Sequence, residues 1–350
     1  MGTSTPAPRR SPYIVSSAYD WAFFLAPPLV AFVAGWIVDL GDIGREVFRW
    51  WGQDVTTASV MLGVFIHANL VIVLWRSHGN GEVRRRFKKR MLWVPLLLLV
   101  GMNVSLWVAV CASVLATFWD VYHSGAQTFG FARIYEARAG NDPTHGRRRD
   151  WMLNQILYAG PILAGATMMD HVEDFREFGA VKSAFFTAIP THMENNHGLI
   201  AWGVIGVGVV VLLDYLWAAW RDHRAGVRVP WQKVYLLVST GAVSIYSWGF
   251  NPWGEAFLVM NLFHALQYFG IVWATEGRNM QRTLRLDDAP GGRVLTWLTF
   301  VVGAVLYGLA VEAWAGTAYR FWTITIVVSL MHFWFDGFIW SVRKTTTTSR

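Results

Sequence analysis

Residues 91–135 read MLWVPLLLLVGMNVSLWVAVCASVLATFWDVYHSGAQTFGFARIY, 45 residues holding one acidic side chain, Asp120, and one basic side chain, Arg133. The hydrocarbon core of a membrane takes about 20 apolar residues per helix. This run is too long for one crossing and too apolar for a loop, so it reads as two spans, 91–110 and 112–135, joined by a tight hairpin. Working outward, eight more runs of span length follow: 21–38, 57–75, 152–169, 198–219, 232–250, 255–274, 294–312 and 321–341. The expected fold class is all-α, a polytopic integral membrane helical bundle of about 10 transmembrane helices forming one domain over 1–350.

Composition agrees. Apolar residues are 54% and charged residues 15%, with 21 Trp, 22 Phe and 11 Tyr, and the mean hydropathy is +0.33. A soluble domain carries about 25% charged residues, so a soluble enzyme and a disordered chain are both excluded. The single cysteine, Cys111, rules out a disulfide framework and a thiolate metal site. No small-residue cleavage site follows the first apolar run, which is therefore expected to remain as a span.

The net charge of +7 raises the question of nucleic acid, and its distribution answers it. With the N-terminus inside, 25 of the 30 Lys and Arg fall on the cytoplasmic side of a ten-span count. That bias is the positive-inside rule. The charge is topological, no nucleic-acid partner is expected, and both termini of this multi-pass inner-membrane chain are expected in the cytoplasm. The basic loop 76–90 would meet anionic headgroups or a membrane-protein partner. The outer loop 170–197 is expected to hold a short interfacial helix around 180–188, with a polar cluster at His192, Glu194 and His197. Asp214 is expected to pair with Arg221.

An ionisable side chain in hydrocarbon costs about 2.5–3.5 kcal/mol on insertion scales and so needs a purpose. Four histidines lie near span centres: His67, His123, His264 and His332. Their spans are all even-numbered and run the same way, and the four sit 9 to 11 residues from their span starts, so four imidazoles can meet at one depth. Asp120 and Gln127 share the face of His123, Gln267 and Tyr268 follow His264, and Asp336 is four residues after His332. Metal-bound imidazoles usually donate their second N–H to such neighbours. His67, His123, His264 and His332 are the expected metal ligands. Asp120 and Asp336 are candidate catalytic groups that orient imidazoles or take up a proton, and Gln127, Gln267 and Tyr268 are candidate cofactor-binding groups.

Imidazole nitrogens suit iron, copper and zinc, and haem is a competitor; an iron ion with an open position is preferred. The leading expectation is a membrane metal-dependent oxidoreductase acting on a hydrophobic small molecule from the bilayer. Alternatives are a haem- or pigment-binding subunit of an electron-transfer or photosynthetic complex and a proton-coupled transporter.

Ile66-His67-Ala68, Tyr122-His123 with Phe129-Gly130, Phe263-His264 running on to Phe269-Gly-Ile-Val-Trp273, and Met331-His332 with Asp336 resemble the histidine-bearing helices of the Brp/Blh-type membrane carotenoid dioxygenases. The resemblance implies one non-haem iron held by intramembrane histidines and oxidative cleavage of a polyene by O2. Two features depart from that pattern: Ile66-His67-Ala68-Asn69 stands where the family has Pro-His-Gly-x-x-Asp, and His264 is followed four residues on by Tyr268.

Overall fold

The computed structural model describes residues 11–41, 44–165, 168, 195–250, 256–314 and 319–339. The outer-loop helix expected at 180–188, with His192 and Glu194, lies outside these residues. Among the described residues the chain is helical except for one small hairpin. Six helices are long and apolar enough to cross a membrane, and a bent pair makes a seventh.

The first run is that bent pair. Helix α1, Ser17–Asp20, passes through a π turn, Trp21–Leu25, and α2, Pro27–Leu40, leaves at 50°. Pro27 and Pro28 cause the bend, since each lacks an N–H and crowds the preceding turn. The strands Val47–Trp50 and Gln53–Thr56 then pair antiparallel about Trp51-Gly52, whose φ values of 50° and 84° are what a two-residue type I′ turn requires. Helix α3, Thr57–Val71, opens on a capping box made by Thr56 and Ser59, and α4, Val73–Ser77, completes that span.

The 45-residue run is split, though not at the expected place. Helix α5, Gly81–Val104, ends at Ser105, which is extended at φ −133° and ψ 118°, and α6, Leu106–Arg138, starts at once. Asn103 and Ser105 put polar groups at the apex, and the Asn103 amide donates to the Leu99 carbonyl at 2.8 Å. The apolar half of α5 therefore runs only from Met91, and α6 lengthens to 33 residues.

The expected span 152–169 is interrupted: α7, Arg147–Asn154, gives way to a second π turn, Gln155–Ala159, and then α8, Gly160–Ala164. Four helices of span length follow after α9, His197–Arg224: α10, Trp231–Gly249; α11, Ala256–Thr283; α12, Gly292–Trp314; and α13, Tyr319–Ile339. Helix α11 is the central post, with 78% of its apolar window buried, whereas α9 has 11% buried and lies at the rim. Around the post stand α2, α3, α12 and the first π turn, while α13 packs on α5, α6 and α3. Asp214 pairs with Arg149 at 2.9 Å, not with Arg221, because α7 lies alongside α9 and brings a cation across.

Candidate metal centre

Three helices meet where α6, α11 and α13 bring inward-facing positions to one level. His123 is 7% exposed, His264 1% and His332 0%. One ring nitrogen from each lies within 4.8 Å of the others. The Nε2 atoms of His123 and His332 are 3.1 Å apart, and the His123 ring stands nearly perpendicular to both neighbours, with centroids 5.2 Å from His264 and 4.8 Å from His332.

Protonation follows from the partners. The Nδ1 of His332 lies 3.2 Å from the Leu70 carbonyl, which can only accept, so Nδ1 carries the proton and Nε2 turns a lone pair to the centre. Both ring nitrogens of His264 are buried and have no hydrogen-bond partner among the described residues. Leaving a buried polar group unmatched costs about 1–3 kcal/mol, so a partner belongs there. Asp336 sits at the rim, its Oδ2 3.7 Å from His123 Nε2 and 3.8 Å from His332 Nε2. Its Oδ1 accepts from the Tyr268 hydroxyl at 2.8 Å, and the Tyr268 ring packs on His332 at 4.6 Å. Phe333 closes the site over His123 at 5.0 Å.

This donor set has a definite chemistry. Two ligands bound side by side at about 2.1 Å from one ion stand roughly 3.0–3.4 Å apart, the separation of the His123 and His332 nitrogens. Converging neutral imidazoles with a carboxylate at the edge suit iron, copper or zinc.

No family model, no characterised protein and no solved structure matches this chain. The site therefore rests on its own geometry.

The other expected residues are placed as follows. His67 is not brought into the group; its Nδ1 lies 2.7 Å from the Gly63 carbonyl and 3.1 Å from Glu312 Oε1 on α12. Asp120 points away from the trio, toward Ser124 and Tyr158. The amides of Gln127 and Gln267 do not reach the rings. Gln127 donates to the His264 carbonyl at 3.1 Å and to Gln267 Oε1 at 3.3 Å, and Gln267 donates to the Phe24 carbonyl at 2.9 Å. They tie α6, α11 and the first π turn together behind the site. Sequence reasoning missed the Leu70 carbonyl, which carries no side-chain signature. It also missed Glu312 as the partner of His67, although a carboxylate near the end of an apolar run was a signal.

Proposed function

We propose that this chain is an integral membrane metal-dependent oxidoreductase whose single ion, iron by preference, is held by His123, His264 and His332. The observation that carries this reading is the convergence of three buried imidazoles, one of them with both nitrogens unmatched. Bound iron would supply oxygen activation beside a hydrophobic substrate. The residues do the rest. The Leu70 carbonyl holds His332 in the ligating tautomer, Tyr268 fixes Asp336, and Asp336 places a carboxyl oxygen beside two imidazoles, where a proton can be passed. Three imidazoles converging from three helices on one point are a donor set that suits a single bare ion.

Substrate access is supported by an apolar cleft of about 470 Å³ between the α3–α4 junction and α12, lined by Val71, Ile72, Trp75, Phe300, Ala304 and Tyr307. It begins one residue beyond Leu70, whose carbonyl holds His332. A polyene is the substrate class that the Brp/Blh resemblance suggests, and the aromatic walls suit it. We place the whole in a ten-span topology with cytoplasmic termini, in which the apolar half of α5, the interrupted α7–α8 segment and α10 each cross as well.

The experiment is metal analysis of chelator-free, detergent-purified protein. Wild type should carry one transition-metal ion per chain. Alanine at His123, His264 or His332 should each remove most of it, and double variants should lose little more, because the second change acts on a broken site. His67→Ala should keep it. Wild-type protein devoid of iron, copper and zinc would end the proposal.

A further inference from the structure

Behind the centre, the structure buries a run of polar groups that the protein does not satisfy. Helix α6 turns Asp120, Ser124 and Thr128, four residues apart and so on one face, toward Asn154, Gln155 and Tyr158 at the second π turn. Ser124, Thr128, Asn154 and Tyr158 are at most 3% exposed. Yet Ser124 Oγ, Thr128 Oγ1, Asn154 Oδ1, Gln155 Nε2 and Tyr158 Oη have no hydrogen-bond partner among the described residues.

The ordinary fate of a helical hydroxyl is a bond to its own backbone one turn back. Ser77 does this to Val73 at 2.9 Å, Thr240 to Leu236 at 2.6 Å and Thr296 to Gly292 at 2.7 Å. Ser124 and Thr128 do not. Five unmatched buried groups in one interface would consume much of a fold's stability, and π turns interrupt helices mostly where function needs them.

The interface is too close for an organic ligand. The Asn154 amide reaches the Gly125 carbonyl at 2.7 Å, and a Cβ on Gly125 would lie 3.1 Å from Gln155 Nε2 and 3.2 Å from Tyr158 Cδ1. Ser124 stands between Asp120 and Tyr158, near enough to interact with both, but neither its hydroxyl nor that of Tyr158 reaches a hydrogen bond of ordinary length and angle. A bridging water fits that spacing.

Both ends of the run meet ionisable groups. Beyond Thr128 and Asn154, toward the basic end, lies a buried ionic cluster in which Arg133 pairs with Asp150. There Lys233 Nζ stands 2.5 Å from Glu136 Oε2 and 3.2 Å from Asp150 Oδ1. At the other end is Asp120, one helical turn before His123, and no cationic side chain among the described residues pairs with it.

We propose that this interface binds a file of ordered water running about 12 Å along α6 from Asp120 to Thr128 and on past Asn154, one helical turn from Asp150, so that Asp120 is open to proton exchange with the basic end of the bundle. Supply of those protons to the metal centre rests on the reading above; the water itself does not.

The test is X-ray hydroxyl-radical footprinting of the metal-free protein, read by mass spectrometry, because radicals formed from bound water modify buried neighbours that bulk solvent cannot reach. Tyr158 should oxidise several-fold faster than Tyr135, which is equally buried but has its hydroxyl bonded to Asp20 at 2.9 Å. The double variant Ser124→Ala, Gln155→Leu should lower Tyr158 labelling several-fold and leave Tyr135 unchanged. Equal labelling of the two tyrosines in wild type would overturn the proposal, and this outcome is independent of metal content.

Discussion

The Tyr268 hydroxyl donates to Asp336 at 2.8 Å and so holds that carboxyl beside two imidazoles. Tyr268→Phe keeps the ring on His332 and removes that bond. Changes just outside a metal's own ligands typically cost about 10–100-fold in affinity, so metal titration should show a weaker Kd in that range with the fold intact. An unchanged Kd would remove Asp336 from the centre's electrostatics. At this scale the sequence was half legible. Depth along each helix is set by counting residues, which is why His123, His264 and His332 were foreseen together. Azimuth is not. His67 has a matching depth, but α3 turns it toward α12 and Glu312, while Leu70, three residues on, faces α13. Which face of a helix meets which neighbour depends on packing partners that a single sequence does not name.

Among the elements, α3 and α12 cross with their backbones nearly touching: a Cβ at Gly308 would lie 2.5 Å from the Val64 carbonyl oxygen. Gly308→Leu must push these helices apart, and overpacking of this kind costs about 1–3 kcal/mol. A lowered Tm in detergent is the expected result. Gly303, five residues earlier on α12, has open space where its Cβ would be and lines the 470 Å³ cleft. Gly303→Leu should therefore leave Tm and metal content unchanged while weakening binding of a fluorescent polyene several-fold. Undiminished polyene binding would take the cleft out of the substrate route. Element existence was legible from hydropathy, whereas interruptions were not. The break falls at Ser105 because one extended residue suffices to reverse a chain, and hydropathy averaged over twenty positions does not register it. The π turn after Asn154 and the Trp51-Gly52 hairpin were missed for the same reason: each is a backbone choice of a few residues inside a longer pattern.

For the whole molecule, the hydrogen bonds themselves sort the loops. Arg138 donates to the Ile14 carbonyl at 3.1 Å, Gln232 to that of Pro12 at 3.4 Å and Asn141 to that of Arg228 at 2.6 Å, so the N-terminal segment, the 132–151 segment and the 220–233 segment share one end. His145 joins Asp222 at 2.8 Å there. Arg76 and Asn80 both reach Glu276, and Asn279 reaches the Gly79 carbonyl at 3.1 Å, which joins the 76–90 and 275–293 segments. These are the segments that carry most of the 30 basic residues. The hairpin lies at the other end, where Trp51 meets Trp314. The fold thus gathers the basic segments into two groups, and in the topology proposed above the positive-inside rule would put both on the cytoplasmic side. Alkaline phosphatase and fluorescent-protein fusions then have a required pattern. A fusion after Arg350 should be fluorescent and phosphatase-inactive, and one inserted after Gly52 should show the reverse. An active phosphatase at the C-terminus would mean that an odd number of segments crosses. In that case one of the apolar half of α5, the α7–α8 segment and α10 would lie within the bundle without spanning it.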